Sequence, residues 1–515
     1  MFSGSLSIGH ALRATAAALP DKTAIIDDDG TLSYRELDRA VDAFAAFLIE
    51  IGVNPGDRIA YLFWNQREIL IAYNAIARIG AVLVSLNTRL TPAELAYQLD
   101  QADVLGVIYD HSFTETMRAT FTLWREPNFS VVAGGIAGGA HAFDAVLQEA
   151  RKLADGHTNI DASASSGIWF TSGTTGKPKG AEVRHASAIG AAYASALALG
   201  IGRDSRFLAA APMFHRGAME DMHLAVTLTG GTHVMMRQFD PERTLVLIEE
   251  HAITHAFIVP TMSWLILQNE NRAKYDLRSM RHWISASAPF PPRLAESLRD
   301  DLDIDGDAIE NCYGITEMLL LTACSGPELK LKPGSVGRPV PSVRVAIHDD
   351  KNGLLPPGEV GEIVAAGPPQ FLGYIGNEQA SRDAFLEMDG LLWYRSGDLG
   401  YCDEDGYFFI VDRKKDMIIT GGENVYSVEV EDAISGHEDV FEVAVIGMPS
   451  EKWGEVVTAA VVAKPGRELG EKAVLQTCAH LADYKRPKSI RFLDVLPRNS
   501  FGKIQKPALR ASLDE

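Results

Sequence analysis

Residues 171–180 are the feature that most constrains how this chain can fold. They follow a short apolar run, 167–170, that predicts a strand, and precede a stretch of small residues, 185–198, that predicts a helix. We therefore expect a loop between a strand and a helix. The loop holds three glycines, four Ser or Thr hydroxyls and two lysines. This composition suits a bound phosphate, because glycines let an anion approach the backbone and the other side chains add donors and charge.

The spacing of this loop differs from that of a Walker A motif. Two residues, rather than four, separate Gly173 from the Gly176-Lys177 pair, and Pro178 stands where that motif has Ser or Thr. A mobile surface loop could hold a few such residues, but ten in succession favour nucleotide phosphates. We expect the nucleotide to be ATP.

Strands and helices alternate on both sides of the loop. Ser33 with Glu36 forms a capping box, Thr91 precedes a proline at a helix start, and Asp240 does the same. Apolar runs between these helices predict strands, and alternation implies parallel sheets covered by helices. A chain of 515 residues is too long for one hydrophobic core, so we expect at least two domains. Since the alternation resumes after the loop, we expect two layered α/β subdomains.

The sequence pattern changes at about residue 331. Short β-rich runs with many Gly and Pro continue to about 411 and predict a small β-barrel or twisted sheet. The charged run 412–416 marks a second boundary, and the mixed pattern beyond it predicts a smaller, mobile α+β domain. We therefore predict an N-terminal domain over 1–412, a hinge over 413–415 and a C-terminal domain over 416–515.

Composition excludes several classes of protein. A formal charge of −20 argues against nucleic acid as the main partner. Residues 484–510 nevertheless hold eight Lys and Arg against one acid, Asp494. This run is either a solvated basic face or a surface that attracts small anions such as ATP and coenzyme A.

The sequence also indicates a cellular location. No window approaches the roughly 18 apolar residues of a membrane span, and residues 1–20 lack the pattern of a secretion signal. Four cysteines lie far apart, which disfavours a disulfide framework or a zinc site. We expect a cytoplasmic protein without a membrane span, and a homodimer is a reasonable expectation.

A second cluster, residues 311–317 with the sequence Asn-Cys-Tyr-Gly-Ile-Thr-Glu, follows a strand predicted over 308–312. Open α/β sheets bind ligands at such strand ends. With the 171–180 loop, this cluster resembles motifs of the adenylate-forming enzymes, the superfamily of acyl-CoA synthetases, peptide-synthetase adenylation domains and luciferase. Six motifs occur in the family's order between 171 and 503. The sequence does not support a hydrolase, because the motif Gly-x-Ser-x-Gly does not occur, or a zinc peptidase, because His-Glu-x-x-His does not occur.

The resemblance implies roles for the residues around the nucleotide. Tyr313 would face the adenine, Thr316 would contact a phosphate, and Glu317 would bind Mg²⁺, a hard cation that prefers carboxylate oxygens. Considered alone, Tyr313 is more readily a core aromatic. The other residues with an implied role in nucleotide binding are Thr171, Ser172, Gly173, Thr174, Thr175, Gly176, Lys179, Ser287, Ala288, Asn311, Cys312 and Gly314. Cys312 and Ser287 stand where glycine is common in the family.

Three motifs near the second boundary and the C-terminus complete the resemblance. It implies that Asp398 accepts bonds from the ribose hydroxyls, joined by Arg413, and that Lys503 catalyses adenylation. Considered alone, an Asp after Ser-Gly is usually a turn residue.

The resemblance also implies a second conformation. Lys415 occupies the family's hinge position, about which the C-terminal domain rotates. Gly421 and Gly422 belong to the loop that contacts the pantetheine arm of CoA after that rotation.

His215 resembles the family histidine between the acyl pocket and the CoA tunnel. The next residue, Arg216, departs from the family pattern. It could pair with a second polar group on the substrate, or with Glu220 or Asp221 nearby.

The resemblance implies an AMP-forming acyl-CoA synthetase, with ATP and CoA as substrates and Mg²⁺ as cofactor. The apolar run 318–321 would line the acyl pocket, which favours an apolar fatty or aromatic acid. The alternatives are a short dicarboxylic or hydroxylated acid, suggested by Arg216, and an adenylation enzyme that loads a carrier protein.

Overall fold

The computed structural model describes residues 7–149, 151, 153, 160–171, 178–450, 452–464, 466–498 and 504–513. Six residues of the predicted phosphate loop, 172–177, and Lys503 lie outside the described residues.

The N-terminal part of the chain alternates strands and helices. Its elements up to the loop are α1 (Ile8–Ala18), β1 (Thr23–Asp27), β2 (Gly30–Ser33), α2 (Tyr34–Glu50), β3 (Arg58–Leu62), α3 (Arg67–Arg78), β4 (Val82–Ser85), α4 (Pro92–Gln101), β5 (Gly106–Asp110), α5 (Thr114–Leu123), β6 (Phe129–Ala133), β7 (His141–Ala142), α6 (Phe143–Gln148) and β8 (Ser165–Thr171). After the loop come β9 (Lys179–Arg184), α7 (His185–Ala198), β10 (Arg206–Ala209), the π-helix Gly217–His223, α8 (Leu224–Thr229), β11 (Thr232–Met235), α9 (Pro241–Glu250), β12 (His255–Phe257), α10 (Pro260–Leu267), β13 (His282–Ser285), α11 (Pro292–Leu302), β14 (Ile309–Ile315), β15 (Leu319–Cys324), α12 (Gly326–Leu331) and β16 (Arg338–Pro339).

The remaining elements are mostly strands. A third region contains β17 (Arg344–Asp349), β18 (Gly353–Leu354), β19 (Gly361–Ala366), β20 (Gly373–Tyr374), α13 (Glu378–Asp383), β21 (Phe385–Met388), β22 (Leu391–Cys402) and β23 (Phe408–Arg413). The last region contains β24 (Ile418–Thr420), β25 (Glu423–Val425), α14 (Ser427–Ser435), β26 (Val440–Ser450), β27 (Gly454–Ala463), α15 (Glu471–Thr477), β28 (Ser489–Phe492) and α16 (Lys506–Leu513). Within the described ranges, none of the helices is both long and apolar enough to cross a membrane.

Two large sheets form the N-terminal part, which confirms the predicted α/β fold class. One has nine strands in the order β16-β15-β14-β13-β12-β10-β11-β1-β2, and the other has eight in the order β20-β9-β8-β4-β3-β5-β6-β7. The central strands of each sheet are parallel, as alternating strands and helices predict. Antiparallel strands are added at the edges, including β15 beside β14 and β9 beside β8.

A shared layer of helices lies between the two sheets. Helices α1, α2, α3, α7 and α8 contact one another, and their buried side chains form one core with Tyr61 of one sheet and Phe207 of the other. Helices α9, α10 and α11 cover the outer face of the nine-stranded sheet, while α4 and α5 cover that of the eight-stranded sheet. The predicted caps are confirmed, since Ser33, Thr91 and Asp240 each accept a backbone N–H from their helix.

The predicted strand–loop–helix arrangement around 171–180 is wrong. Strand β9 follows the loop and pairs antiparallel with β8, so that Thr171 faces Lys179 across the hairpin. Residues 181–184 alternate apolar and polar side chains, a period-2 pattern that favours a strand. The loop therefore connects two strands, and the helix predicted over 185–198 is confirmed as α7.

The third and fourth sheets follow in chain order. The predicted β-barrel or twisted sheet is a six-stranded antiparallel sheet with β22 paired to β19, β21 and β23. The C-terminal sheet combines β24 to β28 with α14, α15 and α16, and its two buried clusters consist of residues between 418 and 513. The predicted limits of the domains and hinge remain predictions.

Candidate active site

Tyr313, Asp398 and Arg413 meet where the nine-stranded sheet touches the six-stranded sheet. The hydroxyl of Tyr313 donates a 2.7 Å hydrogen bond to Oδ2 of Asp398. Nε of Arg413 lies 3.4 Å from Oδ1 of the same carboxylate. Burial raises the pKa of Tyr313 well above its ordinary value, and the Asp398 charge adds to the effect, so the phenol remains a donor.

Strand register explains why these residues meet. Asp398 on β22 and Arg413 on β23 are direct cross-strand partners, and such pairs place their side chains on one face. Gly397 precedes Asp398 with φ of 73°, a left-handed conformation that glycine adopts without strain. Asp398 therefore belongs to a long strand that bends at Gly397, rather than to a simple turn.

The motif at 311–317 lies partly within a strand, which corrects the prediction that it follows one. Strand β14 continues to Ile315 because its antiparallel partner β15 pairs with it along that length. The amide of Asn311 donates to the carbonyl of Ser335 at 2.9 Å, and Cys312 is buried. At Gly314, an added Cβ would lie 2.5 Å from the carbonyl oxygen of Leu319, so only glycine fits there.

Glu317 follows this strand in a buried aromatic setting. Its Oε1 accepts a 2.6 Å hydrogen bond from the hydroxyl of Tyr374. Burial raises the pKa of Tyr374, with a further contribution from the Glu317 charge, so this phenol also remains a donor. Nζ of Lys179, on β9, lies 4.7 Å from the centre of the Tyr374 ring, a cation–π contact. The structure thus brings Lys179 and Glu317 to one tyrosine, the lysine over its ring and the glutamate at its hydroxyl.

The setting of Glu317 suits a bound cation. The residue is only 7% exposed, and among the described residues no lysine or arginine forms an ion pair with it. A buried carboxylate without a cationic partner is costly, and Mg²⁺ commonly binds through one or two carboxylates together with substrate phosphates. Glu317 therefore fits the role of magnesium ligand that the resemblance implies.

Arg216 forms a buried ion pair with Glu220, one of the partners that the sequence offers for it. Nε of Arg216 donates to Oε2 of Glu220 at 2.7 Å, and Nη1 donates to the backbone carbonyl of Thr316 at 2.6 Å. The side chain of Arg216 is fully buried. Its charge is therefore balanced within the protein.

The sequence pattern over 219–228 predicts an α-helix, but the segment that carries Glu220, with Arg216 as its N-cap residue, has a different geometry. Residues Gly217–His223 form a π-helix, and α8 begins at Leu224. Short π-helical segments are rare and occur frequently at functional sites. His215, half-buried just before the π-helix, packs its ring against Phe214 with centroids 4.5 Å apart.

The turn predicted to line the adenine lies after β13. Ser287 and Ala288 are exposed, and Ser287 has φ of 73°. The left-handed conformation explains why glycine would be common at this position.

The two glycines of the predicted CoA loop form the turn of a hairpin. Gly421 and Gly422 connect β24 to β25 with φ of 60° and 85°, the signature of a two-residue hairpin that favours Gly-Gly. The N–H of Gly421 donates to the carbonyl of Trp453 at 2.8 Å. Lys415 lies in the exposed turn between β23 and β24.

Several basic residues of 484–510 are paired within the C-terminal domain. Lys485 binds Glu429 at 2.8 Å, and Lys506 binds Glu431 at 2.8 Å. Lys488 and Arg498 also have carboxylate partners. The free positive charge of this surface is therefore smaller than the sequence predicts.

One residue of the site, Tyr374, which donates to Glu317, was not predicted from the sequence. Glu220 is one of the partners that the sequence offers for Arg216, and their spacing of four residues is a signal that favours such a pair.

Ligands of parallel sheets bind at the carboxyl ends of strands, and Tyr313, Thr316 and Glu317 lie at that end of β14. The fold, with polar residues at the carboxyl end of a parallel strand, is thus typical of α/β enzymes that bind ligands. The chain belongs to the AMP-binding enzyme family: the family model matches residues 12–375, and the model of the family's C-terminal domain matches residues 429–503.

Named relatives and a solved structure resemble the chain over nearly its full length. A (methyl-dioxo-octahydroindenyl)propanoyl:CoA ligase of Mycobacterium tuberculosis is 36% identical, with 99% of each chain covered. A feruloyl-CoA synthase of Amycolatopsis is 36% identical, with 95% of this chain and 96% of the relative covered. The structure of o-succinylbenzoate CoA synthetase from Bacillus subtilis, in complex with its acyl-adenylate intermediate, is 30% identical with a TM-score of 0.85, covering 97% of each chain. The predicted family of AMP-binding acyl-CoA synthetases is confirmed.

Proposed function

We propose that this protein is an ATP-dependent carboxylic acid:CoA ligase that works through an acyl-adenylate. The observation that carries the proposal is the junction at Asp398, where a buried carboxylate lies between Tyr313 and Arg413. A carboxylate held from two sides can accept hydrogen bonds from both ribose hydroxyls of ATP. The Tyr313 ring would lie against the adenine, and Ser287 and Ala288 would line its edge.

In the first step, an oxygen of the substrate carboxylate attacks the α-phosphorus of ATP, and the bond to pyrophosphate breaks. The protein supplies position and charge rather than a nucleophile. Lys503 would bridge the carboxylate and the α-phosphate, while Thr316, Lys179 and the 171–176 loop would contact the other phosphates. Mg²⁺, held by Glu317, would neutralise phosphate charge in the same site.

In the second step, the sulfur of CoA attacks the acyl carbon, the thiol proton is lost, and AMP leaves with the original carboxylate oxygen. Rotation of the C-terminal domain about Lys415 would carry Lys503 away and bring Gly421 and Gly422 to the pantetheine arm. His215 would lie between the acyl pocket and the CoA tunnel.

We infer that the acid is apolar, fatty or aromatic. The buried side chains of Met318, Leu320 and Leu321 follow Glu317, and Glu220 already neutralises Arg216. The positive charge of Arg216 is therefore already balanced, which disfavours its pairing with the second carboxylate of a short dicarboxylic acid. The names of the relatives refer to ring-bearing acyl groups, which favours an aromatic or other cyclic acid over a fatty acid.

The experiment that tests the function is pyrophosphate release from MgATP with a panel of acids: short and long aliphatic, aryl, hydroxylated and dicarboxylic. We expect an aryl or apolar acid to stimulate release, with CoA required for sustained turnover. An acid that stimulates release without any CoA thioester would instead support the loading of a carrier protein. Absence of acid-dependent release with ATP bound would contradict the proposal.

A further inference from the structure

Arg216 binds the segment of backbone that carries the predicted phosphate and magnesium ligands. Its Nη1 donates to the carbonyl of Thr316 at 2.6 Å, one residue before Glu317. Nε is fixed by Glu220 at 2.7 Å, and Glu220 also accepts from the hydroxyl of Tyr73 at 3.4 Å. The guanidinium is therefore held on one side and holds the Thr316 carbonyl on the other.

A second contact from the same π-helix reaches the other end of this segment. Oδ1 of Asp221 accepts the backbone N–H of Leu320 at 3.4 Å and the hydroxyl of Ser195 at 2.9 Å. Hydrogen bonds in a π-helix join residues five apart, so side chains four or five apart, such as those of Arg216, Glu220 and Asp221, lie on neighbouring parts of one face. Arg216 at the start of the π-helix and Asp221 within it thus bind the backbone on both sides of Glu317.

The segment between these two contacts, residues 316–320, contains a strained turn. Leu319 has φ of 59°, a left-handed conformation that bulky residues rarely adopt. Such a conformation persists where surrounding contacts impose it, and it is often found at functional sites. Without the two contacts, the turn would be expected to relax and carry Thr316 and Glu317 with it.

We propose that Arg216 is a positioning residue, which together with Asp221 fixes the turn over 316–320 in the geometry that binds MgATP. This inference rests on the proposed function, because that function gives Thr316 and Glu317 their ligands. It assigns no contact between Arg216 and the acid. Glu220 neutralises the guanidinium charge and Nη1 is bound to Thr316, while Nη2 is buried without a partner among the described residues.

The test uses a double variant, Arg216→Met with Glu220→Leu. Replacing both members of a buried ion pair by apolar residues of similar size is often neutral for stability, whereas removing one member leaves a buried charge. The double variant therefore removes the contact to Thr316 while keeping the fold. Arg216→Lys is the second variant, since it keeps the charge but cannot bond Glu220 and Thr316 in the same way.

Two measurements that do not depend on turnover come first. Hydrogen exchange of peptides covering 314–321 should become faster in both variants. The affinity for a non-hydrolysable ATP analogue with Mg²⁺ should fall about 10- to 100-fold, the usual loss when a residue supporting a ligand is removed, and should change less when EDTA replaces Mg²⁺. In turnover assays, kcat should fall while the KM of the acid stays nearly constant.

A matched control is Arg67→Met with Asp27→Leu. Arg67 pairs with Asp27 and also donates to the backbone carbonyl of Gly30, as Arg216 does to Glu220 and Thr316, but among the described residues neither member of the pair bonds to a residue of the site. This variant should leave both exchange over 314–321 and MgATP affinity unchanged.

Three results would overturn the inference. Unchanged exchange and MgATP affinity would show that Arg216 does not position the turn. A rise confined to the KM of the acid would make Arg216 a substrate contact. If the double variant does not fold, wild-type behaviour of Arg216→Lys in both measurements would count against positioning. Failure of the wild-type enzyme to release pyrophosphate would reject the proposed function instead, while exchange and nucleotide binding would still decide the role of Arg216.

Discussion

The hydroxyl of Tyr313 and the carboxylate of Asp398 lie 2.7 Å apart and join two sheets, although the two residues are 85 positions apart in the chain. Tyr313 lies near the carboxyl end of β14 in the nine-stranded sheet, and Asp398 lies on the long strand β22 of the antiparallel sheet. The sugar and base of ATP are proposed to bind at this junction. Its geometry therefore depends on how the two sheets pack.

Tyr313→Phe should weaken ATP binding. The change keeps the ring but removes one of the two groups that orient the Asp398 carboxylate, so we expect a rise in Kd of roughly tenfold, about 1.4 kcal/mol of binding free energy. Calorimetry with a non-hydrolysable ATP analogue measures the change. Tyr407→Phe is the control, since it removes a similar bond to Glu328 elsewhere. Equal affinities of wild type and Tyr313→Phe for the analogue would contradict a role for the Tyr313–Asp398 contact in nucleotide binding.

Lys503→Ala should slow adenylation by about 10²–10³-fold, the effect of losing one preorganised donor, and should affect thioester formation from a preformed acyl-adenylate much less. The two half-reactions are measured separately, by pyrophosphate exchange and by thioester release. Lys472→Ala, an exposed lysine on α15, is the control. A variant that adenylates normally would remove Lys503 from the mechanism.

Gly421→Ala should slow thioester formation more than Gly422→Ala does. Both glycines have positive φ, so both variants are strained, but only at Gly421 would the new Cβ meet the Trp453 ring, at 3.0 Å. Adenylation should remain close to wild type in both. Gly466→Ala, strained to a similar degree in an open turn, controls for stability. Equal rates of thioester formation in all three variants would contradict a role for the Gly421 turn in CoA binding.

Stability should fall as the pH drops from about 6.5 towards 3. His233, Phe207, His255 and His282 are register partners across adjacent strands of the nine-stranded sheet. Burial lowers the pKa of His223 and of His255 to about 3, and that of His233 in the same direction. Because the unfolded chain takes up protons near pH 6.5 and the folded chain does not, acid favours the unfolded state.

Each such histidine lowers the free energy of unfolding by up to about 1.4 kcal/mol per pH unit in this window. Asp221 acts in the opposite sense, since burial raises its pKa to about 7, so the comparison is made between variants. His255→Gln should flatten the pH dependence measured by urea unfolding, and His10→Gln, at an exposed position, should not. Identical slopes for wild type and His255→Gln would exclude this explanation.

Local signals predicted the helices and strands well where one pattern dominates. The caps at Ser33, Thr91 and Asp240 depend on hydrogen bonds within a few residues, and the parallel sheets follow from alternation alone. The strand β9 after the loop was not predicted, because its alternating pattern covers only residues 181–184 and a long helical pattern follows directly. The π-helix at Gly217–His223 was not predicted either, since such helices are rare and have no pattern of their own in a single sequence.

The site illustrates the same limit. The motifs nominate Tyr313, Asp398 and Arg413 separately, but only strand register and sheet packing bring them together. Tyr374 escaped prediction because its contact with Glu317 depends on the pairing of β20 with β9. Such long-range contacts leave no pattern in a single sequence.

The most direct test of the central claim, that the reaction passes through an acyl-adenylate, traces the carboxylate oxygen of the acid into the products. The best acid from the panel, labelled with ¹⁸O in its carboxylate, is converted to its CoA thioester with MgATP, and the products are analysed by mass spectrometry. An acyl-adenylate route predicts unlabelled pyrophosphate and AMP that carries one ¹⁸O from the acid. Thioester formation with unlabelled AMP, or with label in inorganic phosphate beside ADP, would contradict the proposed chemistry.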